Sequence, residues 1–260
     1  MTALTLDRLS GGRFRLGLGT SGPQVVEGWH GQPFRRPLAT TAEYVEIVRR
    51  ICAADGKIEL AGQIFRLPYD GPGATGAGKP LRSAFKPTKI PILLAAIGPR
   101  NVELAMRIAD GLLPMLWNPH RAGDVYAPLI ARVAAGDFEL APTVPIAIGD
   151  DIDACRDKVR PMITMYIGGM GSRETNFYNQ LIRRYGYEET AHAVQDLYLA
   201  GRRDEAAAAV PAALIDELAL VGPPGHVAEQ LSVWRGSGIT TLILAGANSH
   251  AMRTVAELML

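Results

Sequence analysis

Apolar positions along the chain gather into short solid runs separated by amphipathic stretches. The clearest run is Ile90-Pro-Ile-Leu-Leu-Ala-Ala-Ile97, which predicts a parallel strand covered on both faces. Gly98-Pro99 ends it. Residues 100–109 then read as a helix with Val102, Ala105, Met106 and Ala109 on one face. Asp110-Gly111 stops that helix, glycine being the common terminator. Leu112-Leu-Pro-Met-Leu-Trp117 starts the next strand. Together these form a βαβ unit, expected to cross over right-handed.

The alternation recurs. A helix over residues 3–9 and a Gly11-Gly12 turn precede a strand over 13–19. Residues 40–53 predict a helix burying Tyr44, Ile47, Val48 and Ile51. A strand over 144–148 leads into a helix over 152–165. A last strand covers 241–245 and a closing helix 252–260. Residues 57–67 suggest a short hairpin, and 69–79 a Gly/Pro-rich excursion. Strands alternating with helices imply a parallel α/β sheet. The core strands number five, near 13–19, 91–97, 112–117, 144–148 and 241–245, too few to close an eight-stranded barrel. Residues 173–220 offer no further strand and read as two or three helices. No linker divides the chain, so 1–260 is expected to be one domain.

Composition narrows the function classes. Hydrophobic residues make up 48% of the 260, enough for a sizeable core. Net charge is +1, from 27 basic and 26 acidic residues, which argues against a nucleic-acid surface or a polybasic membrane patch. Cys52 and Cys155 stand far apart, neither a disulfide framework nor a metal cluster, and a reducing cytoplasm is the simplest setting. The run 90–97 is too short to span a bilayer. Met1–Arg8 carries Asp7 and Arg8 and no long apolar core, so it is not expected to be a signal peptide.

Some motifs are set aside on their context. Gly17, Gly19 and Gly22 match the dinucleotide spacing G-x-G-x-x-G. However, no helix is expected directly after Gly22, and the acidic residue at the right distance, Glu43, falls inside a helix. Glu27 and His30, like Glu189 and His192, have a spacing used in di-metal bundles. The first pair lies in a glycine-rich loop and the fold is no bundle, so no metal site is expected. No Gly-x-Ser-x-Gly nucleophile elbow occurs.

Several segments resemble one family when taken together. Leu6-Asp-Arg-Leu-Ser-Gly-Gly-Arg13 followed by Leu16-Gly-Leu-Gly-Thr-Ser-Gly22 is similar to the helix–turn–strand signature of luciferase-like monooxygenases. Ala95-Ala-Ile-Gly-Pro99 and Ala109-Asp-Gly111 resemble that family's next βαβ unit. Tyr166-Ile-Gly-Gly-Met-Gly171 and Asp216-Glu-Leu-Ala-Leu-Val-Gly222 look like its actinobacterial branch, which uses coenzyme F420, a deazaflavin. The resemblance covers nearly the whole chain. It implies a (β/α)8 TIM-barrel type fold with a helical insertion over about 166–221, before the last strand. Relatives begin with three further strands, so an N-terminally incomplete barrel is expected.

The resemblance also assigns sites. Relatives hold the cofactor phosphate on the turn corresponding to Ile97, Gly98, Pro99, Arg100 and Asn101. A helix start suits that role through its unpaired N–H groups and positive dipole end. Ile97 stands where relatives carry glycine. The loop with Gly19, Thr20, Ser21, Gly22 and Gln24 follows a strand's C-terminal end and is expected to bond the ribityl chain, with Trp29 as an apolar wall. The bland alternatives are an ordinary turn and a loop that only reverses the chain, with Trp29 in the core. Tyr166, Gly168, Gly169 and Gly171 are expected to form a substrate lid or, equally, a hinge between helices. His30 and His250 each follow a strand and are the candidate proton donors.

The leading expectation is hydride transfer between coenzyme F420 and a small organic substrate. FMN-dependent monooxygenation with molecular oxygen stands beside it, as does a non-catalytic remnant. Relatives of this family are often homodimers.

Overall fold

The computed structural model describes residues 1–54, 56–83 and 85–259. The chain divides into two compact units.

The first unit comprises Met1–Ala95 and Arg100–Gly111. Its elements are α1 (Thr2–Leu9), β1 (Leu16–Leu18), α2 (Pro23–Gly28), α3 (Pro37–Ala53), β2 (Lys57–Ile58), β3 (Leu60–Ala61), β4 (Arg66–Leu67), β5 (Leu81–Arg82), β6 (Ile92–Leu94) and α4 (Pro99–Ile108). β1 and β6 pair in parallel, Leu16 opposite Ile92 and Leu18 opposite Leu94. All three residues of β6 are buried, as a strand covered on both faces requires. The hairpin is narrower than expected. β3 pairs with β4, while β2 pairs antiparallel with β5, across the Gly/Pro-rich excursion. Leu4, Cys52 and Ile90 form a small core with Phe14, Leu16, Val48 and Ile51 packed against it. On α3 the deeply buried positions are Val45 and Cys52. Tyr44, expected inside, is 47% exposed.

Asp110 does more than mark a helix end. Its Oδ2 accepts from Ile92 N at 2.8 Å and from Arg49 Nη2 at 2.9 Å, and its own N–H donates to Ile92 O. Arg49 also donates to Ile108 O. One carboxylate therefore ties the start of β6 to the end of α4 and to α3.

The second unit comprises Ala96–Pro99 and Leu112–Leu260. Its elements are β7 (Gly111–Leu112), α5 (Ala122–Ala134), β8 (Glu139–Leu140), β9 (Thr143–Ile148), α6 (Ile152–Gly169), α7 (Phe177–Arg184), α8 (Glu188–Leu199), α9 (Arg203–Ala208), α10 (Ala212–Leu218), β10 (Leu220–Gly222), α11 (Pro224–Gly236), β11 (Ile243–Ala245) and α12 (Ser249–Met259). β9 is the central strand, flanked in parallel by β10 and β11. The run 112–117 is not a continuous strand. Pro114 lacks an N–H, so pairing shrinks to β7 and a single bridge from Met115 to Thr143. The closing helix is described to Met259, and Leu260 lies outside the described residues.

The expectation of no strand before residue 220 holds only to its last residue. β10 begins at Leu220 and pairs in parallel with β9, a strand that the five expected did not include. Three residues abutting a helix leave no periodicity to read. The segment after α6 holds four helices rather than two or three. α6 starts on Asp151, whose Oδ1 accepts from the N–H groups of Asp153 and Ala154. Among the described residues no helix is long and apolar enough to cross a membrane.

Candidate functional site

After β6 the chain crosses Ala95–Ile97 and enters α4 at Pro99. Proline suits this first helical position, where an N–H would find no partner. The N–H groups of Arg100 and Asn101 lie in the first turn, where no intrahelical acceptor exists. Pro99 and Arg100 are exposed, and Ile97, Gly98 and Asn101 half-buried. The turn therefore offers free donors at a positive helix end, open to solvent.

Within the second unit, α7 lies along Ile97–Gly98. Arg184 Nη2 donates to Ile97 O at 3.4 Å. The Phe177 ring runs beside Gly98, where an added Cβ would meet ring carbons at 3.5 and 3.6 Å. Phe177 and Arg184 are seven residues apart, so they share one helix face. Sequence reasoning missed both. The available signal was an aromatic and an arginine two turns apart on an amphipathic helix.

Arg184 rests on a buried aromatic layer. Its guanidinium carbon lies 5.8 Å from the centre of the Tyr126 ring. Tyr126 in turn stacks on Trp117 at 5.1 Å and 17°. Trp117 Nε1 donates to Ser237 Oγ at 3.1 Å, and Tyr185 Oη donates to Leu116 O at 3.2 Å. Leu116 itself is held at φ +55°, an uncommon conformation for leucine. Burial pushes the Tyr126 and Tyr185 phenols up, Tyr185 well above the ordinary value, although the Arg184 charge opposes this at both. Below this layer, Asn118 Nδ2 and Tyr187 Oη both donate to Glu217. Burial, then the Glu217 carboxylate, push Tyr187 up to about 12. The phenols thus stay protonated at neutral pH.

The Gly19–Gly22 loop follows β1 in the first unit. A Cβ at Gly19 would approach Ala95 Cβ at 3.2 Å, so glycine lets the ends of β1 and β6 lie close. Thr20 Oγ1 is turned onto Ser21 O at 3.3 Å, and Ser21 sits at φ +56°. The expectation that no helix opens after Gly22 is corrected. α2 begins at Pro23, with Val25 and Val26 N–H groups donating to Gly22 O. At six residues it was too short for periodicity to reveal. Gln24 and His30 are exposed. Trp29, expected as a wall or as core, is 81% exposed at the end of α2.

Glu43 lies inside α3, as expected, and has its own task. Its carboxylate accepts from the backbone N–H groups of Gln63, Ile64 and Phe65 at 2.7, 3.0 and 2.9 Å. Desolvation works to raise its pKa, but these three bonds and the Arg36 charge outweigh it and hold the carboxyl below the ordinary glutamate value. A carboxylate so engaged is not free to bind a ribose. The dinucleotide spacing therefore still lacks its acidic partner, even with α2 present.

The glycines of the expected lid are placed differently. Tyr166, Gly168 and Gly169 continue α6 rather than leave it. A Cβ at Gly168 would sit 2.5 Å from Tyr198 Cβ, and one at Gly169 would collide with the Tyr198 ring. These glycines permit close packing of α6 on α8. Gly171 turns the chain at φ +135°, close to Asn176. Asn176 Nδ2 donates to the carbonyls of Tyr166 and Ile167, while its Oδ1 accepts from the N–H groups of Tyr178 and Asn179. One buried side chain closes α6 and opens α7.

His250 is exposed on α12. A cavity of about 180 Å³ opens at the C-terminal ends of β9 and β11, lined by Ile146, Ile148, Lys158, Met162, Ala245 and Asn248. It is smaller than the roughly 300–1,000 Å³ of typical ligand pockets, and His250 does not line it.

Residues 1–241 match the family model described as luciferase-like monooxygenase. A Mycobacterium tuberculosis protein provisionally named a coenzyme F420-dependent oxidoreductase is 44% identical over 267 residues, covering 99% of this chain and 77% of that protein. The 5,10-methylenetetrahydromethanopterin reductase of Archaeoglobus fulgidus is 27% identical, over 92% of this chain and 69% of the reductase. Among solved structures, the coenzyme F420-dependent tetrahydromethanopterin reductase from Methanopyrus kandleri superposes with a TM-score of 0.73 at 19% identity. It covers 99% of this chain and 75% of its own. That last likeness is one of fold.

Proposed function

The chain belongs to the luciferase-like monooxygenase family, and from that premise we propose that it is an oxidoreductase using coenzyme F420, with a small organic molecule as hydride donor or acceptor. The observation that carries the reading is the open start of α4. There, after Gly98 and Pro99, the N–H groups of Arg100 and Asn101 have no intrahelical acceptor at a positive helix end, and the Arg184 guanidinium bonds the Ile97 carbonyl. A phosphate fits donors of this kind. The 44% identity to a protein named for coenzyme F420 supports the choice of cofactor.

When bound, the deazaflavin supplies a carbon that carries hydride. The work of this chain is placement. The first turn of α4 receives the anionic tail. Arg184 adds positive charge beside Ile97, and the half-exposed Phe177 ring lies beside Gly98. His30 and His250 are exposed and available to exchange protons with substrate.

The test is a fluorescence titration of the chain with oxidised coenzyme F420, with FMN in parallel. Saturable binding of the deazaflavin, and its reduction by an organic hydride donor, is the expected result. Binding of FMN alone, with oxygen consumption on reduction, would overturn the assignment in favour of flavin monooxygenation.

A further inference from the structure

The cavity at the C-terminal ends of β9 and β11 lies wholly within the second unit and shares no residue with the turn at Gly98. Its walls are apolar. Ile146, Val159 and Ala251 are buried, and Ile148 and Met162 half-buried. At about 180 Å³ it is too small for a drug-sized ligand. A cavity of about 150 Å³ nevertheless holds benzene, so there is room for an aliphatic body of about four to six carbons.

Lys158 is the only ionisable residue that lines this space. It is exposed and has no hydrogen bond or ion pair among the described residues. The positions three and four away on its helix are Ala154, Cys155, Pro161 and Met162, none of them acidic. The two acids of α6 are engaged elsewhere, Asp153 with Arg156 and Asp157 with Arg160. Asn248 also lines the cavity. Its Oδ1 accepts from Ala251 N at 2.8 Å, which fixes the amide and leaves its NH2 as a donor without a partner among the described residues. The polar side chains of the cavity thus offer one positive charge, one neutral donor and no carboxylate.

We infer that this cavity binds a short aliphatic carboxylate, its tail among Ile146, Val159 and Met162 and its head on Lys158 and Asn248. A cationic ligand would meet the lysine's repulsion. A phosphate has no fit, because apolar walls would strip water from oxygens that one lysine and one amide leave unpaired. A monocarboxylate has two oxygens for two donors, and its tail gains by leaving water. The inference stands apart from the cofactor reading and needs no deazaflavin for its test.

The experiment titrates the full chain with hexanoate, and with hexanol as the uncharged control, while NMR follows the side-chain methyls. Wild type should bind hexanoate saturably, with the largest shifts at Ile146, Ile148, Val159 and Ala245, and should bind hexanol more weakly. Lys158→Met keeps the aliphatic stem and removes the charge. It should weaken hexanoate roughly 10-fold, the low end for a hydrogen bond to a charged group, and leave hexanol unchanged. Lys158→Arg should recover most of the loss, and Met162→Trp should close the cavity to both molecules. The two lysine variants change an exposed side chain and report on recognition even where Met162→Trp fails to fold. Equal affinity for hexanoate and hexanol, hexanoate binding indifferent to Lys158→Met, or shifts scattered away from these methyls would each overturn the inference.

Discussion

Tyr198 fills the space that side chains at Gly168 and Gly169 would need. The nearest atom to the Gly168 position is the tyrosine's own Cβ, which cannot swing aside. Gly168→Ala therefore has to move α6 away from α8. Such overpacking costs about 1–3 kcal/mol, partly offset by the better helix propensity of alanine. Urea unfolding should show the lowered midpoint, and adding Tyr198→Ala should recover much of the Gly168→Ala penalty. An unchanged midpoint in the single variant would show that the two helices have slack.

Ser237→Ala leaves the Trp117 indole N–H without its acceptor. Trp117 is fully buried, so water does not replace the lost bond. The expected loss is about 1–3 kcal/mol, read by thermal unfolding.

Much of this was legible in the residues, and the failures have physical causes. The run around Ile92–Leu94 announced a strand covered on both faces, and it is buried throughout. Long helices such as α3 and α4 announced themselves by periodicity. β10 and α2 did not, because three and six residues carry no period. Gly168 and Gly169 were read for backbone freedom, when glycine equally serves close approach. The residue that decides between the two readings is Tyr198, about thirty positions away. Arg184 was overlooked for the same reason: its partners, Ile97 and Tyr126, are distant in sequence.

Glu43 makes the excursion around Gln63–Phe65 sensitive to acid. Its carboxyl is held below the reference value of 4.5, which it regains on unfolding. The unfolded chain then binds more protons across that interval, so stability rises with pH there. The contribution is complete above about 4.5 and is lost as pH falls through the lower, folded value. Protection of the Gln63, Ile64 and Phe65 amides, measured against their intrinsic exchange rates, should fall as pH drops below 4.5. Glu43→Gln should lower that protection at neutral pH as well. Exchange at these amides that follows only the intrinsic rate would show that the carboxylate does not hold them.

Asn176→Ala removes acceptor and donors together. The N–H groups of Tyr178 and Asn179 lose their cap, and the last carbonyls of α6 lose two donors. The combined cost is roughly 2–3 kcal/mol. Chemical denaturation gives the total, and Asn176→Asp separates its parts. The carboxylate still caps α7 but cannot donate to α6.

Because Asn176 serves both helices, α7 and the end of α6 are tied together beside Gly171. Moving α7 away from Ile97 and Gly98 on its own breaks the bonds that Asn176 and Asn179 donate to the Tyr166 and Ile167 carbonyls. Any breathing of the turn must therefore involve both helices, cooperatively and at the cost of several hydrogen bonds.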